Sequence, residues 1–182
     1  MSAGKSQLTG MRPKKMSNVL VISENDFEDS ELFYPMYRLI ELGFNVKVAS
    51  KGSAEIKGKH GYIVKCDLKT SDIKPGDYSI LLLPGGKSPE KVRLDEHALS
   101  TVKHFASAGK LIAAICHGPQ ILISAKVISG RKATSYVGVR DDLIAAGAIY
   151  IDASVVVDRN LITSRTPSDL PDFMREIAKL AK

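Results

Sequence analysis

The sequence predicts an α/β fold, a three-layer sandwich in which a mostly parallel sheet carries helices on both faces. Three observations point to it. Short apolar runs alternate with helical segments along the chain, the pattern of strands buried on both sides. Right-handed crossovers between those strands then follow almost of necessity. Three of the runs end in loops with chemically capable residues, Glu24–Asp29, Pro84–Glu90 and Cys116–Pro119. In such sheets ligands bind at the carboxyl ends of the strands.

The elements read as follows. Asn18–Ser23 (NVLVIS) is short and apolar, so it is a buried strand. Asp29 is placed to cap a helix running to Leu42, with Leu32, Met36, Leu39 and Ile40 on one face and Gly43 as its stop. Pro35 in that helix cannot donate to the carbonyl of Glu31, which predicts a local irregularity. Asn45–Ser50 is a second strand. Residues 51–75, with a Gly-Lys-His-Gly turn and the strand Tyr62–Asp67, suggest a small β excursion. Tyr78–Leu83 is a buried strand that ends in Pro84-Gly85-Gly86, and Ser88-Pro89 opens a helical turn. Asp95 caps the helix His97–Ser107. Leu111–Ile115 is a further apolar strand, and Cys116-His117-Gly118-Pro119 turns straight into the helix Gln120–Lys126. Lys132–Tyr136, Ile149–Ile151, Ser154–Asp158 and Leu161–Ser164 read as strands, Asp141–Ala146 as a helix, and Thr166-Pro167 as the start of a C-terminal helix.

The bulk properties set limits. With 182 residues, 44% apolar and 25% charged, the chain is sized for one large domain. The reading is a flexible leader over 1–17 followed by a single domain over 18–182; Met11 and Met16 offer alternative starts, because folded patterning begins at Asn18. Its two cysteines, Cys66 and Cys116, exclude a disulfide framework and suit a reducing cytoplasm. No apolar run reaches the roughly 20 residues of a membrane span. The net charge of +6 is scattered, apart from Lys5, Arg12, Lys14 and Lys15, and so argues for a basic surface rather than nucleic-acid binding. No His/Cys/Asp/Glu cluster has metal-ligand spacing, and no cofactor is implied.

The chemistry centres on Cys116. A cysteine between a buried strand and a helix has the arrangement of a nucleophile elbow, which exposes its side chain above the sheet. The helix N-terminus beside it is expected to lower the thiol pKa. His117, the next residue, is placed to take or give the thiol proton, and Gly118 removes bulk where substrate approaches. Glu28 and Glu31 lie in or just after the first loop; a buried carboxyl there could stay protonated and donate to the thiolate, and spacing alone does not choose between them. Gly85 and Gly86 suit backbone amides aimed at an oxyanion. Cys66, mid-strand between Lys65 and Asp67, reads as structural. His97 and His104 fall on a surface helix, and His60 lacks a comparable setting.

Ala114-Ile115-Cys116-His117-Gly118-Pro119-Gln120, preceded by Leu83-Pro84-Gly85-Gly86 and Phe27-Glu28-Asp29-Ser30-Glu31-Leu32, resembles the intracellular protease PfpI family of the DJ-one/PfpI superfamily. Lys59-His60-Gly61, Arg131–Tyr136 and Ser164–Leu170 fit it too, so the resemblance runs from about Asn18 to Lys182. It implies a class I glutamine-amidotransferase-like, flavodoxin-like fold. It also implies residue roles: Glu28 as the acid that hydrogen-bonds the nucleophile, His117 as catalytic histidine, and Glu90 as the acid that reaches the histidine of a neighbouring subunit. Gly86 and the amide of His117 match the oxyanion donors, and Tyr136 a pocket tyrosine.

The expected activity is thiolate attack on a carbonyl. The first reading is a cysteine-dependent hydrolase acting as an intracellular peptidase. The rivals are a cofactor-independent glyoxalase or protein deglycase acting on methylglyoxal or its adducts, and a non-enzymatic oxidation sensor built on Cys116. The implied partners are a peptide or small aldehyde substrate and further copies of the chain, at least a dimer and up to a hexamer, with the site shared between subunits.

Overall fold

The computed structural model describes residues 17–181, so the leader expected over 1–17 lies outside the described residues except for Ser17. Eleven strands and six helices follow in order: β1 (Asn18–Ile22), α1 (Asp29–Glu41), β2 (Asn45–Ser50), β3 (Glu55–Lys57), β4 (Ile63–Lys65), β5 (Leu68–Lys69), β6 (Ile80–Leu83), α2 (Ser88–Val92), α3 (Glu96–Ser107), β7 (Leu111–Ile115), α4 (Pro119–Ser124), β8 (Lys132–Ala133), α5 (Arg140–Ala145), β9 (Ile149–Tyr150), β10 (Val155–Asp158), β11 (Leu161–Ser164) and α6 (Leu170–Leu180). Seven strands form the central sheet in the order β10-β11-β7-β6-β1-β2-β5. All its pairings are parallel except β10 with β11.

The alternation within each strand builds two cores. Leu20, Ile22, Leu81, Leu83, Ile112 and Ala114 pack on one face with Val102 and Phe105 of α3, Ile121 of α4 and Leu143 of α5. Val19, Val21, Ile80, Leu82, Ala113 and Ile115 pack on the other with Leu32 and Leu39 of α1 and Phe173 and Ile177 of α6. Both faces of the same strands are apolar because both are covered. Each fully buried large side chain contributes about 1.5–3 kcal/mol relative to exposure.

The topology gathers the site. From β1 the chain steps outward to β2, then returns to add β6 and β7 on the other side, so the order reverses between β1 and β6. Strands β7, β6 and β1 are neighbours, and their carboxyl ends deliver the three predicted loops side by side.

Several local expectations change. Helix α1 runs unbroken through Pro35, and Ile40 is 50% exposed, while Phe33 packs inward instead. Glu28, not Asp29, occupies the position before the helix, and Asp29 turns its carboxylate to the amides of His60 and Tyr62. The excursion is a β3–β4 hairpin separate from the main sheet, and β8 pairs only with β9. Asp95 does cap α3, accepting from the His97 amide at 3.0 Å.

Candidate active site

Cys116 sits at the top of β7 with φ 62°, a left-handed backbone that costs an L-residue on the order of 1–2 kcal/mol. Three bonds hold it there. Its amide donates to Ser164 O at 3.1 Å, its carbonyl accepts from Tyr136 N–H at 3.0 Å, and Gly118 N–H donates to Ile115 O at 2.8 Å. A Cβ on Gly118 would run into the carbonyls of Leu83 and Ile115, so only glycine lets the chain turn this close to β6. The elbow is thus an over-determined strained turn, and Cys116 as a residue is 9% exposed.

Three kinds of group face the sulfur. The amides of Gly86 and His117 donate toward it. The His117 ring lies with Nδ1 at 3.2 Å from Sγ, stacked on Tyr136 with ring centroids 4.8 Å apart. The carboxyl of Glu31, wholly buried, comes from below.

Glu31 takes the place expected of Glu28. The reason lies in the helix start. Glu28 precedes the first turn in extended backbone (φ −74°, ψ 116°), which sends its side chain outward to Lys59, to Ser30 Oγ at 3.2 Å and to His60 Nε2 at 3.5 Å. Glu31 lies within the first turn and points under the elbow. Its Oε2 accepts from the Gly85 amide at 2.8 Å. Its Oε1 is buried without a hydrogen-bond partner of ordinary geometry, and the group that the carboxyl faces is the Cys116 thiol. Gly85 is required by this approach: a Cβ there would stand 2.6 Å from Glu31 Oε2 and 2.7 Å from Cys116 Cβ. Its amide is committed to Glu31, which leaves Gly86 and His117 as the oxyanion-facing donors. Gly86 adopts φ 76°, and a Cβ would strike the backbone of Asp26 and Glu28.

The electrostatics follow from burial. Desolvation pushes the Glu31 carboxyl up to about 8, aided by the Glu28 charge and opposed by the Gly85 amide. Glu31 is therefore protonated at neutral pH and can donate. Burial also pushes the Cys116 thiol up, to about 12, and an ionised Glu31 adds to that. This reverses the expected direction. Helix α4 begins only at Pro119 and has six residues, so its dipole is weak against desolvation. What favours a thiolate are the two amides and a Glu31 that keeps its proton. His117 is held below the usual imidazole range, first by burial and also by Lys59, while Glu90 opposes. It is neutral at pH 7 and free to accept a proton.

Glu90 is exposed near the head of α2; its charge reaches His117 of the same chain, but its carboxylate makes no hydrogen bond with that ring. Tyr136, 39% exposed, closes the side of the pocket and opens onto a hollow of about 280 Å³ lined also by Arg140, Tyr150 and Arg165. Cys66 lies away from this site, half-buried beside Ser50. Lys59 and His60 reach Glu28 from the β3–β4 turn; the sequence signal for them is the Gly-Lys-His-Gly turn. Among the described residues no group of His, Cys, Asp and Glu could hold a metal ion, and no helix is long and apolar enough to cross a membrane.

An elbow cysteine with an adjacent histidine, a buried protonated acid and paired backbone amides on a doubly covered parallel sheet defines a cysteine-centred α/β site. The chain belongs to the DJ-1/PfpI family, whose model matches residues 17–180. A protein of Archaeoglobus fulgidus is 58% identical over 90% of this chain and 98% of its own length. A Pyrococcus furiosus protein named deglycase PfpI is 52% identical over 90% and 99%. Among solved structures, a two-domain DJ-1/ThiJ/PfpI-like and ferritin-like protein of Anabaena variabilis superposes with a TM-score of 0.88 at 36% identity, over 91% of this chain and 48% of that one. Schizosaccharomyces pombe DJ-1 superposes with a TM-score of 0.83 at 20% identity, over 91% and 92%, and shares the fold.

Proposed function

We propose that this protein is a cysteine-dependent deglycase, which removes α-oxoaldehyde adducts such as those of methylglyoxal from amines and thiols. The observation that carries the reading is the contact between Cys116 Sγ and His117 Nδ1 at 3.2 Å, with two amides aimed at the sulfur. The relatives named as deglycases, at 52–53% identity over nearly their whole lengths, support it.

The chemistry that these residues can perform is the following. In the adduct the amine or thiol stands on the hydroxyl-bearing carbon next to the ketone. His117 takes the Cys116 proton and passes it to the leaving amine or thiol as that carbon collapses to the aldehyde, and the thiolate adds to the aldehyde carbon. The resulting hemithioacetal oxygen, which keeps the proton of the original hydroxyl, meets the Gly86 and His117 amides. A proton shift along the two-carbon unit gives a thioester, and water hydrolyses it to the hydroxy acid, which restores the thiol. No cofactor enters this sequence.

The same nucleophile acting on an unstrained amide is peptidase chemistry, the first expectation from the sequence. It needs an orienting acid for His117. We assign that role to Glu90 of a neighbouring subunit, on the family resemblance; its exposure near the head of α2 is compatible with reaching a partner. The site would then be shared in a homo-oligomer, and two free thiols suit a reducing cytoplasm.

One experiment separates the activities. Purified protein is incubated with methylglyoxal-treated N-acetyl-lysine and N-acetylcysteine, with methylglyoxal alone, and with casein, beside a Cys116→Ala control. Release of free amine or thiol with lactate supports the deglycase. Casein cleavage without adduct release makes the protein a peptidase. Lactate from free methylglyoxal only makes it a glyoxalase. Silence in all three, with Cys116 oxidised by dilute peroxide, leaves the sensor role.

A further inference from the structure

We infer that Lys59 and Glu28 are opposed positioning residues for the nucleophile: Lys59 brings positive charge to the mouth of the pocket and favours the thiolate, and Glu28 restrains it. The inference rests on Cys116 being the reacting group, and on no particular substrate.

The geometry begins with the hairpin. The turn between β3 and β4 is tied to the loop after β1 at every residue that matters. Asp26 N–H donates to Lys57 O at 2.8 Å, Lys57 N–H to Asn25 Oδ1 at 2.8 Å, and Lys59 N–H to Phe27 O at 2.9 Å. The Asp29 carboxylate takes the amides of His60 and Tyr62 at 2.9 and 3.2 Å. Gly58 passes so close that a Cβ would overlap that carboxylate. The backbone of Lys59 is therefore fixed against the loop after β1 by bonds that its own side chain does not make.

Its side chain then meets Glu28, which is only 9% exposed although Lys59 is 50% exposed. Glu28 in turn is part of the pocket wall: its amide donates to Gly85 O at 3.2 Å, next to the glycine whose amide faces the sulfur. The chain of contact runs from Lys59 to Glu28, to Gly85-Gly86, to Cys116. The pair is half-buried, its acid covered and its cation open to solvent, so the rigid hairpin delivers a charge to the edge of the pocket wall.

The charges around the sulfur come from every neighbouring element. Helix α1 supplies Glu31, the loop before it Glu28, the hairpin turn Lys59 and His60, the elbow His117, α2 Glu90, and the segment after β8 Tyr136. Glu31 holds its proton and burial holds His117 below the usual imidazole range; the Lys59 cation, paired with Glu28, is raised above the usual lysine value by that pairing. The Lys59 charge acts on Cys116, Glu31 and His117 together. Losing one proton from the thiol–carboxyl pair makes the pair an anion. A cation at the mouth promotes that loss, and an acid beside the cation opposes it, whichever of the two groups gives up the proton.

The test reads ionisation directly. In a Cys66→Ser background, the rate of Cys116 alkylation by iodoacetamide is followed against pH at low salt. Lys59→Met is expected to move the inflection upward by about half a unit or more, and Lys59→Arg to restore it. Glu28→Gln is expected to move it downward. All shifts should shrink near 0.5 M NaCl, where the screening length is about 4 Å. An unmoved inflection in Lys59→Met overturns the proposal. So does a shift of Lys59→Met and Glu28→Gln in the same direction, which is what loosening of the hairpin would produce. Because alkylation needs no turnover, this result stands apart from the outcome with glycated, aldehyde or protein substrates.

Discussion

The two thiols of this chain occupy opposite kinds of place. Cys116 ends β7 on a strained turn, faced by two amides, an imidazole and a protonated carboxyl. Cys66 sits in extended chain between β4 and β5, with the hydroxyl of Ser50 beside it and the charges of Glu24, Asp67 and Glu55 around it. Burial raises both thiols above the ordinary value. Low intrinsic acidity therefore does not distinguish them; what does is the set of donors and proton carriers assembled around one sulfur. A nucleophile is made by what meets its anion, not by how easily it forms in isolation.

The sharpest way to break that comparison is to remove each sulfur. Cys116→Ala is expected to lower turnover by about three orders of magnitude or more, since the covalent step has no substitute. Cys66→Ser should leave the rate within about twofold. Comparable losses in both would mean that the site has been misplaced. The adduct-release assay with matched circular dichroism spectra distinguishes chemistry from unfolding.

Gly86 tests the backbone side of the comparison. Its φ of 76° and the backbone of Asp26 and Glu28 leave no space for a methyl group. Gly86→Ala is expected to destabilise by about 2–3 kcal/mol and to displace the amide from the sulfur, lowering alkylation of Cys116 about tenfold. Alkylation of Cys66 in the same sample serves as the internal standard. A stable variant with unchanged Cys116 reactivity would remove Gly86 from the oxyanion role.

Much of the fold is legible in particular residues. The alternation of apolar runs in Asn18–Ser23, Tyr78–Leu83 and Leu111–Ile115 marked the three strands that carry the site, because strands covered on both faces leave no polar residue to blur the pattern. Cys116-His117-Gly118 marked the elbow. The choice between Glu28 and Glu31 was not legible. It depends on where helix α1 starts to within one residue, and boundaries shift by that much under local packing. The direction of the thiol's shift was hidden for another reason. A sequence displays the helix that should lower a pKa, but not the burial that raises it. The structural part played by Gly85 likewise appears only once Glu31 is seen passing beneath it.

Glu31 offers a finer test, with effects on both reactivity and stability. Its folded value of about 8 stands above the unfolded carboxylate value near 4.5, so the folded state holds the extra proton. A raised acid costs stability as pH climbs from the unfolded value toward the folded one. Glu31→Gln removes that cost and keeps a donor. It is expected to be more stable than the parent at pH 7–8, by on the order of 2 kcal/mol, with the advantage vanishing near pH 4. Denaturant melts at pH 4 and pH 7.5 measure it. Glu31→Leu loses the donor as well, and Cys116 alkylation near pH 8 should fall about tenfold while the Gln variant falls less. Equal rates in the Leu variant and the parent would show that the carboxyl is a packing element rather than a partner of the thiolate.

The smallest effect is expected at Tyr136, and it bears on His117 rather than on the sulfur. The two rings stack at 4.8 Å with an interplanar angle of 25°, and the tyrosine backbone is anchored by its amide bond to Cys116 O. The anchor belongs to the main chain, so Tyr136→Phe keeps both the bond and the stack, and Tyr136→Ala keeps only the bond. Ring stacking of this kind is worth about 0.5–1.5 kcal/mol. If it holds the imidazole with Nδ1 toward Sγ, its loss should lower turnover by about two- to tenfold in the Ala variant, with little change in the Phe variant. Stability should barely move in either, because the ring is 39% exposed. The alkylation rate of Cys116 at high pH, where the thiolate forms without help from His117, should be the same in all three proteins. A drop in that rate as well would mean that Tyr136 shapes the elbow itself. A loss of turnover equal in Phe and Ala would assign the effect to the phenolic hydroxyl, and the stack would then be a consequence of packing rather than the means by which the histidine is aimed.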